Sequence, residues 1–470
     1  MMSNPISSRS PRSHARRAAA AVRAPRLMLA MLFTAVALAA MASGASAHRH
    51  VPTHIATWAF DDGCSGGAGA PAGLVRRWVS YAENNCGVGA RKALTDCHSG
   101  ARVFCRVMQY MDTDWVFRGD RVLNIDSPFA SSWWLTSPGS GSRARIYTST
   151  LGGGYLANQN LPQVQDFFRR FVRRHYNADD GLLMDWQSPS LSQQLYYSTC
   201  ACRTTRQIRT DRALRAGHAA MSRALTHRDG SVYVQADNTL PGNPYLPQGL
   251  NALNHRIGVD AWTVEGEPMS DGLLTGSYST LLDQMGYIVT RTRGFVAPMS
   301  RAPVNAPYLA QTRRVQEATV LLAFRPGHVV DWADLEQGSD RLSVWPEEGI
   351  YPTRPRESMR QPRGRGCLAG TGVVCARGGH RSLEVARGIY RREFRFCYRN
   401  GIAIGACAVI MNTTRNHVTV HRGWLRGHYR HAMTFVGGDV GARGSVNPVG
   451  ARFTAGVTQL APHDALLLAR

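Results

Sequence analysis

Five apolar runs in this sequence end at an acid. HIATWAF (54–60) leads into Asp61 and Asp62, and ARVFCRVMQY (101–110) closes on Tyr110 with Asp112 just beyond. GLLMDWQ (181–187) turns from leucine and methionine to Asp185, Trp186 and Gln187. SVYVQADN (231–238) offers Gln235, Asp237 and Asn238, and GVDAWTVEGE (258–267) offers Trp262, Glu265 and Glu267. Three of these ends carry a tryptophan, at positions 58, 186 and 262. Indoles stack on the apolar face of a sugar ring, and carboxylates and amides bond its hydroxyls. Cleaving a glycosidic bond needs two carboxyl groups, one donating a proton to the leaving oxygen and one attacking the anomeric carbon or activating water. Asp185 and Glu265 fit that pair, because each directly follows an apolar run and lies beside Trp or Gly. Asp185 is the expected nucleophile or stabilising base and Glu265 the expected acid, its carboxyl kept protonated by an apolar setting such as Trp262-Thr263-Val264. Trp58, Asp61, Asp62, Tyr110, Asp112, Trp186, Gln235, Asn238 and Trp262 are the expected sugar-contacting set. Acids also end buried strands for structural reasons, where they cap the next helix or pair with Arg. Asp62 before Gly63 also suits a turn, and Asp237 and Glu267 suit loop hydrogen bonding.

Other chemistries find less. No G-x-S-x-G elbow is present, and no H-E-x-x-H. Cys200-Ala-Cys202 has metal-like spacing, but no His or Cys set completes a zinc site. His48-Arg49-His50 is a three-residue copper-like match with nothing to extend it. The expected chemistry uses no cofactor and no metal.

The acids must be held by elements that bring strand ends together. The run 54–60 reads as a strand, and Leu74, Val75, Trp78, Val79 and Ala82 follow helical spacing. A second strand is expected at 101–110 and a third at RARIYTS (143–149). Pro162 fits a helix start, and Val164, Phe167, Phe168, Phe171, Val172 and His175 form one helical face. After the strand GLLMDW comes a helix over 207–226, with Ile208, Leu214, Met221 and Leu225 on one side and Gly217 falling among them at a cost in propensity. Strands at 231–238 and 258–267, a helix over 273–285, and strands at GFVAP (294–298) and EATVLLAF (317–324) complete the series. Strands alternating with helices imply parallel pairing through right-handed crossovers. Seven or eight of them over about 270 residues match a (β/α)8 barrel, whose reactive groups sit at carboxyl strand ends. A doubly wound sheet is the alternative, but no glycine-rich phosphate loop follows the first strand.

The rest of the chain frames that barrel. Of 470 residues, the first 47 read as a secretory leader: six Arg and no acid in 1–26, an apolar core at 27–42, and Ala45-Ser46-Ala47 as a cleavage site. Arg16-Arg17 leaves twin-arginine export open. No second segment is apolar enough to span a bilayer. The expected divisions are 1–47 leader, 48–350 barrel, 351–378 a Pro- and Arg-rich linker or loop, and 379–470 a small all-β domain built from short runs broken by Gly and Asn. The formal net charge is +23, but Lys92 is the only lysine, and the arginines are scattered apart from a cluster at 354–366. That bias points away from nucleic acid, and acidic glycans suit a secreted basic chain better. Ten cysteines all lie after the leader, and close spacing suggests Cys86–Cys97, Cys367–Cys375 and Cys397–Cys407 as disulfides. Asn412-Thr413-Thr414 is a glycosylation sequon.

With those motifs in view, the sequence resembles a group of secreted TIM-barrel proteins described as hypothetical glycosyl hydrolases. DGLLMDWQSPSLS (180–192), SVYVQADN, WTVEGEP (262–268) and VWPEEGIYPTRP (344–355) carry the likeness in the barrel; 391–412 and 457–468 carry it in the tail. The resemblance implies hydrolysis or binding of a polysaccharide or oligosaccharide. GLLMDW is also similar to the nucleophile strand of the α-galactosidase and α-glucosidase clan, where an Asp ends strand four and the acid/base ends strand six. Counted along this chain, Asp185 ends strand four and Glu265 strand six, although that clan has Asp at the second place. A non-catalytic glycan-binding protein on the same scaffold is the other reading of these features.

Overall fold

The structure is a computed structural model. It describes residues 55–60, 80–84, 106–112, 115–117, 133, 147–148, 154–175, 181–185, 216–217, 220–221, 224–225, 232–237, 261–264, 269–270, 273–274, 278–291, 295–298, 300, 302–303, 307–329, 331–332, 336–337, 349–359, 380–433 and 450–470. Residues 52–470 form one compact unit.

Eight parallel strands make its centre: β1 (Thr57–Phe60), β2 (Tyr81–Asn84), β3 (Arg106–Asp112), β4 (Gly181–Asp185), β5 (Val232–Asp237), β6 (Ala261–Val264), β7 (Phe295–Pro298) and β8 (Asp331–Trp332). They pair in chain order from β1 to β7, and β8 pairs β1. The circle closes where Val296 of β7 bridges Val329 just before β8, with the Val296 amide donating to the His328 carbonyl at 2.9 Å. Following register partners once around returns to β1 eight residues before the starting position. Eight strands with a shear of about eight are the geometry of a (β/α)8 barrel.

Crossover helices cover the outside. α1 (Pro162–His175) buries Val164, Phe168 and Val172, four residues apart, against Leu182 of β4 and against Met221 and Leu225 of the next helical stretch. Of the expected face, Val164, Phe168 and Val172 are buried and Phe167 and Phe171 pack partly buried beside them. Gly217 has a packing reason: a Cβ there would sit 3.1 Å from Gln159 Cβ, in the turn before α1, a contact tight enough that the neighbour would have to give way. α2 (Tyr278–Arg291) and α3 (Leu309–Ala323) back β7 and β8.

Four expectations are corrected. Residues 81–84, read as the end of a helix, form β2, so 101–110 leads into the third barrel strand. The run near 143–149 supplies Tyr147–Thr148 to a small antiparallel sheet with Trp115–Phe117 and Gly154–Leu156, outside the barrel. The helix expected over 273–285 starts at Tyr278, while Leu273–Leu274 pairs with Met269–Ser270. EATVLLAF, expected as the closing strand, lies in α3, and the closing strand is the short DW that follows. An all-round apolar run reads as a doubly covered strand, but α3 is a helix covered on two sides. It lies between the barrel sheet and a second sheet.

That second sheet is built from β9 (Ile350–Pro355), β10 (Glu384–Ala386), β11 (Ile389–Arg399), β12 (Ile402–Asn412), β14 (His431–Met433), β15 (Gly450–Arg452) and β17 (Asp464–Ala469); β13 (Val418–Thr419) pairs with β16 (Gln459–Leu460) beside it. Residues 350–355, expected as barrel end and linker, are thus its edge strand, antiparallel to β11. β11 and β12 form a hairpin whose turn, Asn400-Gly401, has φ of 48° and 81°. That is the left-handed pair a tight hairpin turn requires. Alternation then splits β12: Cys407, Val409 and Met411 face α2 and α3, while Ala406, Ala408 and Ile410 face a second core with Val420, Leu425, Tyr429 and Phe453. Cys397–Cys407 is a disulfide across the hairpin, with Cα atoms 5.9 Å apart. The other two expected pairs lie outside the described residues. Polar ties reinforce the apolar contact between this sheet and the barrel. Arg314 of α3 pairs with Asp464, Arg392 donates to the Leu322 carbonyl, and the His380 amide and ring bond the Asp283 carboxylate at 2.7 and 2.9 Å.

Candidate functional site

Strand alternation decides which positions line the barrel. Leu182 packs on α1, Val296 and Val329 pack on α2 and α3, and Ile55 joins that same core. These four mark the helix-facing side of β4, β7, β8 and β1. Carried through the register, all four agree around the circle. The opposite, interior face then holds positions 58 and 60, 81 and 83, 106, 108, 110 and 112, 181, 183 and 185, 232, 234 and 236, 261 and 263, 295 and 297, and 332.

A one-residue climb per strand stacks these positions in layers from alternate strands. Trp58, Met108, Val234 and Ala297 share one layer, and Met108 is fully buried. Glu83, Leu183, Thr263 and Trp332 share the next, and Phe60, Tyr110 and Ala236 the one above. Asp185 and then Asp112 stand highest, at the carboxyl rim, and the two are register partners across β3 and β4.

Of the residues singled out in the sequence, Trp58, Tyr110, Asp112 and Asp185 therefore occupy interior positions. Gln235, Asp237 and Trp262 occupy helix-side positions. Asp61, Asp62, Trp186, Asn238, Glu265 and Glu267 lie outside the described residues, Glu265 following directly on the last residue of β6. Sequence reading missed Glu83, Tyr81 and Trp332 as barrel-lining positions. Their strands are four and two residues long, too short for periodicity to register. The better signal was the chemistry itself: an acid and two aromatics in runs of the same kind as β1.

One further strand acid has a structural role. Asp331 of β8 is on the helix side, where it is buried and accepts from Arg313 Nη2 of α3 at 2.8 Å and from Gln316 Nε2 at 3.2 Å. Arg313, fully buried, also meets Glu317 at 2.8 Å. Gln316 donates to the Pro298 carbonyl at the rim of β7 (2.6 Å) and accepts from Ser300 (3.0 Å). This network fastens α3 to the rim between β7 and β8. The described residues contain no cluster of three or more His, Cys, Asp or Glu able to hold a metal.

No protein-family model matches the chain, and comparison with curated protein sequences finds no match. Solved structures resemble it at low identity. The glycoside hydrolase domain of PelA from Pseudomonas aeruginosa is 12% identical, with a TM-score of 0.39 over 62% of this chain and all of that one. Trehalose-6-phosphate hydrolase from Bacillus licheniformis is 9% identical, with a TM-score of 0.45 over 89% of this chain and 99% of that one. An α-amylase from Lactobacillus plantarum is 8% identical, with a TM-score of 0.41 over the same shares. The class of this protein rests on its own strand order and register: a parallel eight-stranded barrel with a β-sheet tail, carrying acids at the carboxyl rim.

Proposed function

We propose that this chain is a glycoside hydrolase acting on a polysaccharide at the carboxyl rim of its barrel. The observation that supports this reading most is that Asp185 and Asp112, register partners on the interior face, are the highest described positions of a barrel whose inner face also holds Trp58, Tyr110 and Trp332. Catalytic groups of such barrels come from the carboxyl ends of several strands. Asp331 shows what a structural acid looks like here, being on the other face and consumed by an arginine.

In this reading Glu265, directly after β6, donates a proton to the leaving glycosidic oxygen. Asp185, two strands away, attacks the anomeric carbon or deprotonates the attacking water. Asp112 and Tyr110 bond sugar hydroxyls; Trp58 and Trp332, in layers below Asp185, belong to the packed barrel interior and not to the sugar-contacting set. Asp61, Asp62, Trp186 and Asn238 extend the same rim. Residues 1–47 are a leader removed on export, which agrees with the Cys397–Cys407 disulfide. Among the described residues no helix is long and apolar enough to cross a membrane.

The test is reducing-end release from a panel of polysaccharides by the wild type, Asp185→Asn and Glu265→Gln. Each variant should lose at least about a hundredfold in turnover. Near-normal turnover removes that residue from the mechanism. Binding without turnover in the wild type would favour the non-catalytic glycan-binding reading.

A further inference from the structure

The C-terminal sheet carries a second feature that the barrel chemistry does not use. Between β13 and β14 the chain forms a loop, His421 to Arg430, fixed from beneath by buried charges. Glu393, fully buried, accepts the Arg426 amide at 2.6 Å. Arg391 donates to the Trp424 carbonyl and is itself held by Glu357 at 2.6 Å. Glu357 in turn accepts the Glu393 amide at 2.8 Å and lies 3.8 Å from the Arg426 guanidinium. Taking these charges out of water is costly, and the backbone of this loop is what they hold.

Above that base the loop is braced by its own side chains. Arg422 donates to the Gly427 carbonyl at 2.6 Å and faces the His428 ring at 3.1 Å. The rings of His421 and Trp424 meet edge to face, with centroids 4.8 Å apart. Gly427 lies so close to Tyr429 that a Cβ would be 2.7 Å from its hydroxyl. His421, Arg422, Arg426, His428, Arg430 and His431 are exposed, and Trp424 is half-buried among them. Residues 394–463 contain eight Arg, five His and a single acid, Asp439.

We propose that this loop is a docking surface for an acidic, carboxylate-bearing polysaccharide strand. Guanidinium forks match carboxylates, the exposed part of the Trp424 indole adds apolar surface beside them, and a loop already rigid loses little entropy on binding. The choice of a glycan over other polyanions rests on the glycosidase reading of the barrel.

The test measures binding, not turnover, with the full-length mature chain and an oligogalacturonate of fixed length. Arg422→Ser combined with Arg430→Ser should weaken binding about tenfold. Arg173→Ser combined with Arg174→Ser, an equal charge change on the exposed side of α1, should change it less than about twofold. Arg422→Lys, which keeps the charge, should fall between. Reducing-end release is read on the same preparations, so loss of turnover and loss of docking are told apart. Equal weakening by both double variants overturns the proposal. So does wild-type binding to phosphatidylglycerol vesicles or duplex DNA that is tighter than to oligogalacturonate, and so does no oligogalacturonate binding at low salt.

Discussion

Replacing Asp331 by asparagine removes one negative charge from the junction of β8 and α3. In the native structure its two oxygens accept from Arg313 and Gln316, at 2.8 and 3.2 Å, and nothing there is exposed to solvent. The Arg313 guanidinium remains fully buried with Glu317 as its other acidic partner, 2.8 Å away. Breaking a buried pair by removing one partner costs about 3 to 5 kcal/mol. The surviving Glu317 contact sets the expectation at the lower end, about 3 kcal/mol. Arg313→Met combined with Asp331→Asn and Glu317→Gln takes out the charges together and should recover part of that loss, because none of the three charges then has to be buried. Urea denaturation followed by tryptophan fluorescence gives the difference. Asp331 faces the helices and not the barrel interior, so folded Asp331→Asn should keep wild-type turnover on any substrate the wild type cleaves. A stability loss under about 1 kcal/mol would refute the buried-pair argument, and a large turnover loss in fully folded protein would refute the assignment of faces.

Further predictions follow from the C-terminal sheet. Asn412 is fully buried, donating to the carbonyls of Asn416 and Ala461 at 2.8 Å and accepting from the Thr414 amide and hydroxyl at 2.9 and 2.7 Å. Expression in a glycosylating host should therefore add no glycan at this sequon, as intact mass would reveal, and Asn412→Ala should cost about 2 to 4 kcal/mol in the same urea assay. Burial raises the hydroxyl pKa of Tyr278, Tyr351, Tyr390 and Tyr429, with Tyr390 pushed up to about 12. These groups keep their protons in the fold while the unfolded chain loses them near the ordinary value of about 10. Their contribution is thus complete below about pH 10 and is lost as pH rises from there toward 12; tyrosinate absorbance should lag behind that of the urea-unfolded chain until the fold opens. A chain ending at residue 345 uncovers Leu281, Leu282 and Leu321, which share one core with Val409, Met411 and Leu467, and should be recovered insoluble or without a cooperative melt.

How much was legible before the structure depends on what each element packs against. α1 was readable because only one side is buried, and Val164, Phe168 and Val172 recur at helical spacing. β4 was readable because the apolar run between Gly181 and Asp185 is of strand length, too short for a helix, and is bounded by a glycine and an acid. β2 and β8 were not, since two to four residues give no period and their pairing comes entirely from neighbouring strands. α3 was misread because the C-terminal sheet covers the side that would otherwise be polar. At the rim, Asp112 and Asp185 are the last residues of β3 and β4. Face is a matter of register, which single strands do not reveal, and it separates positions 110, 112 and 185 from 235 and 262.

The central claim is most directly tested by pairing two readouts on Asp185→Asn: reducing-end release from the polysaccharide that the wild type cleaves fastest, and the urea midpoint of the same preparation. The account predicts turnover reduced at least about a hundredfold with an unchanged midpoint. Turnover within a few fold of wild type, or a lost midpoint like that expected of Asp331→Asn, would mean that Asp185 is only the polar end of a buried strand.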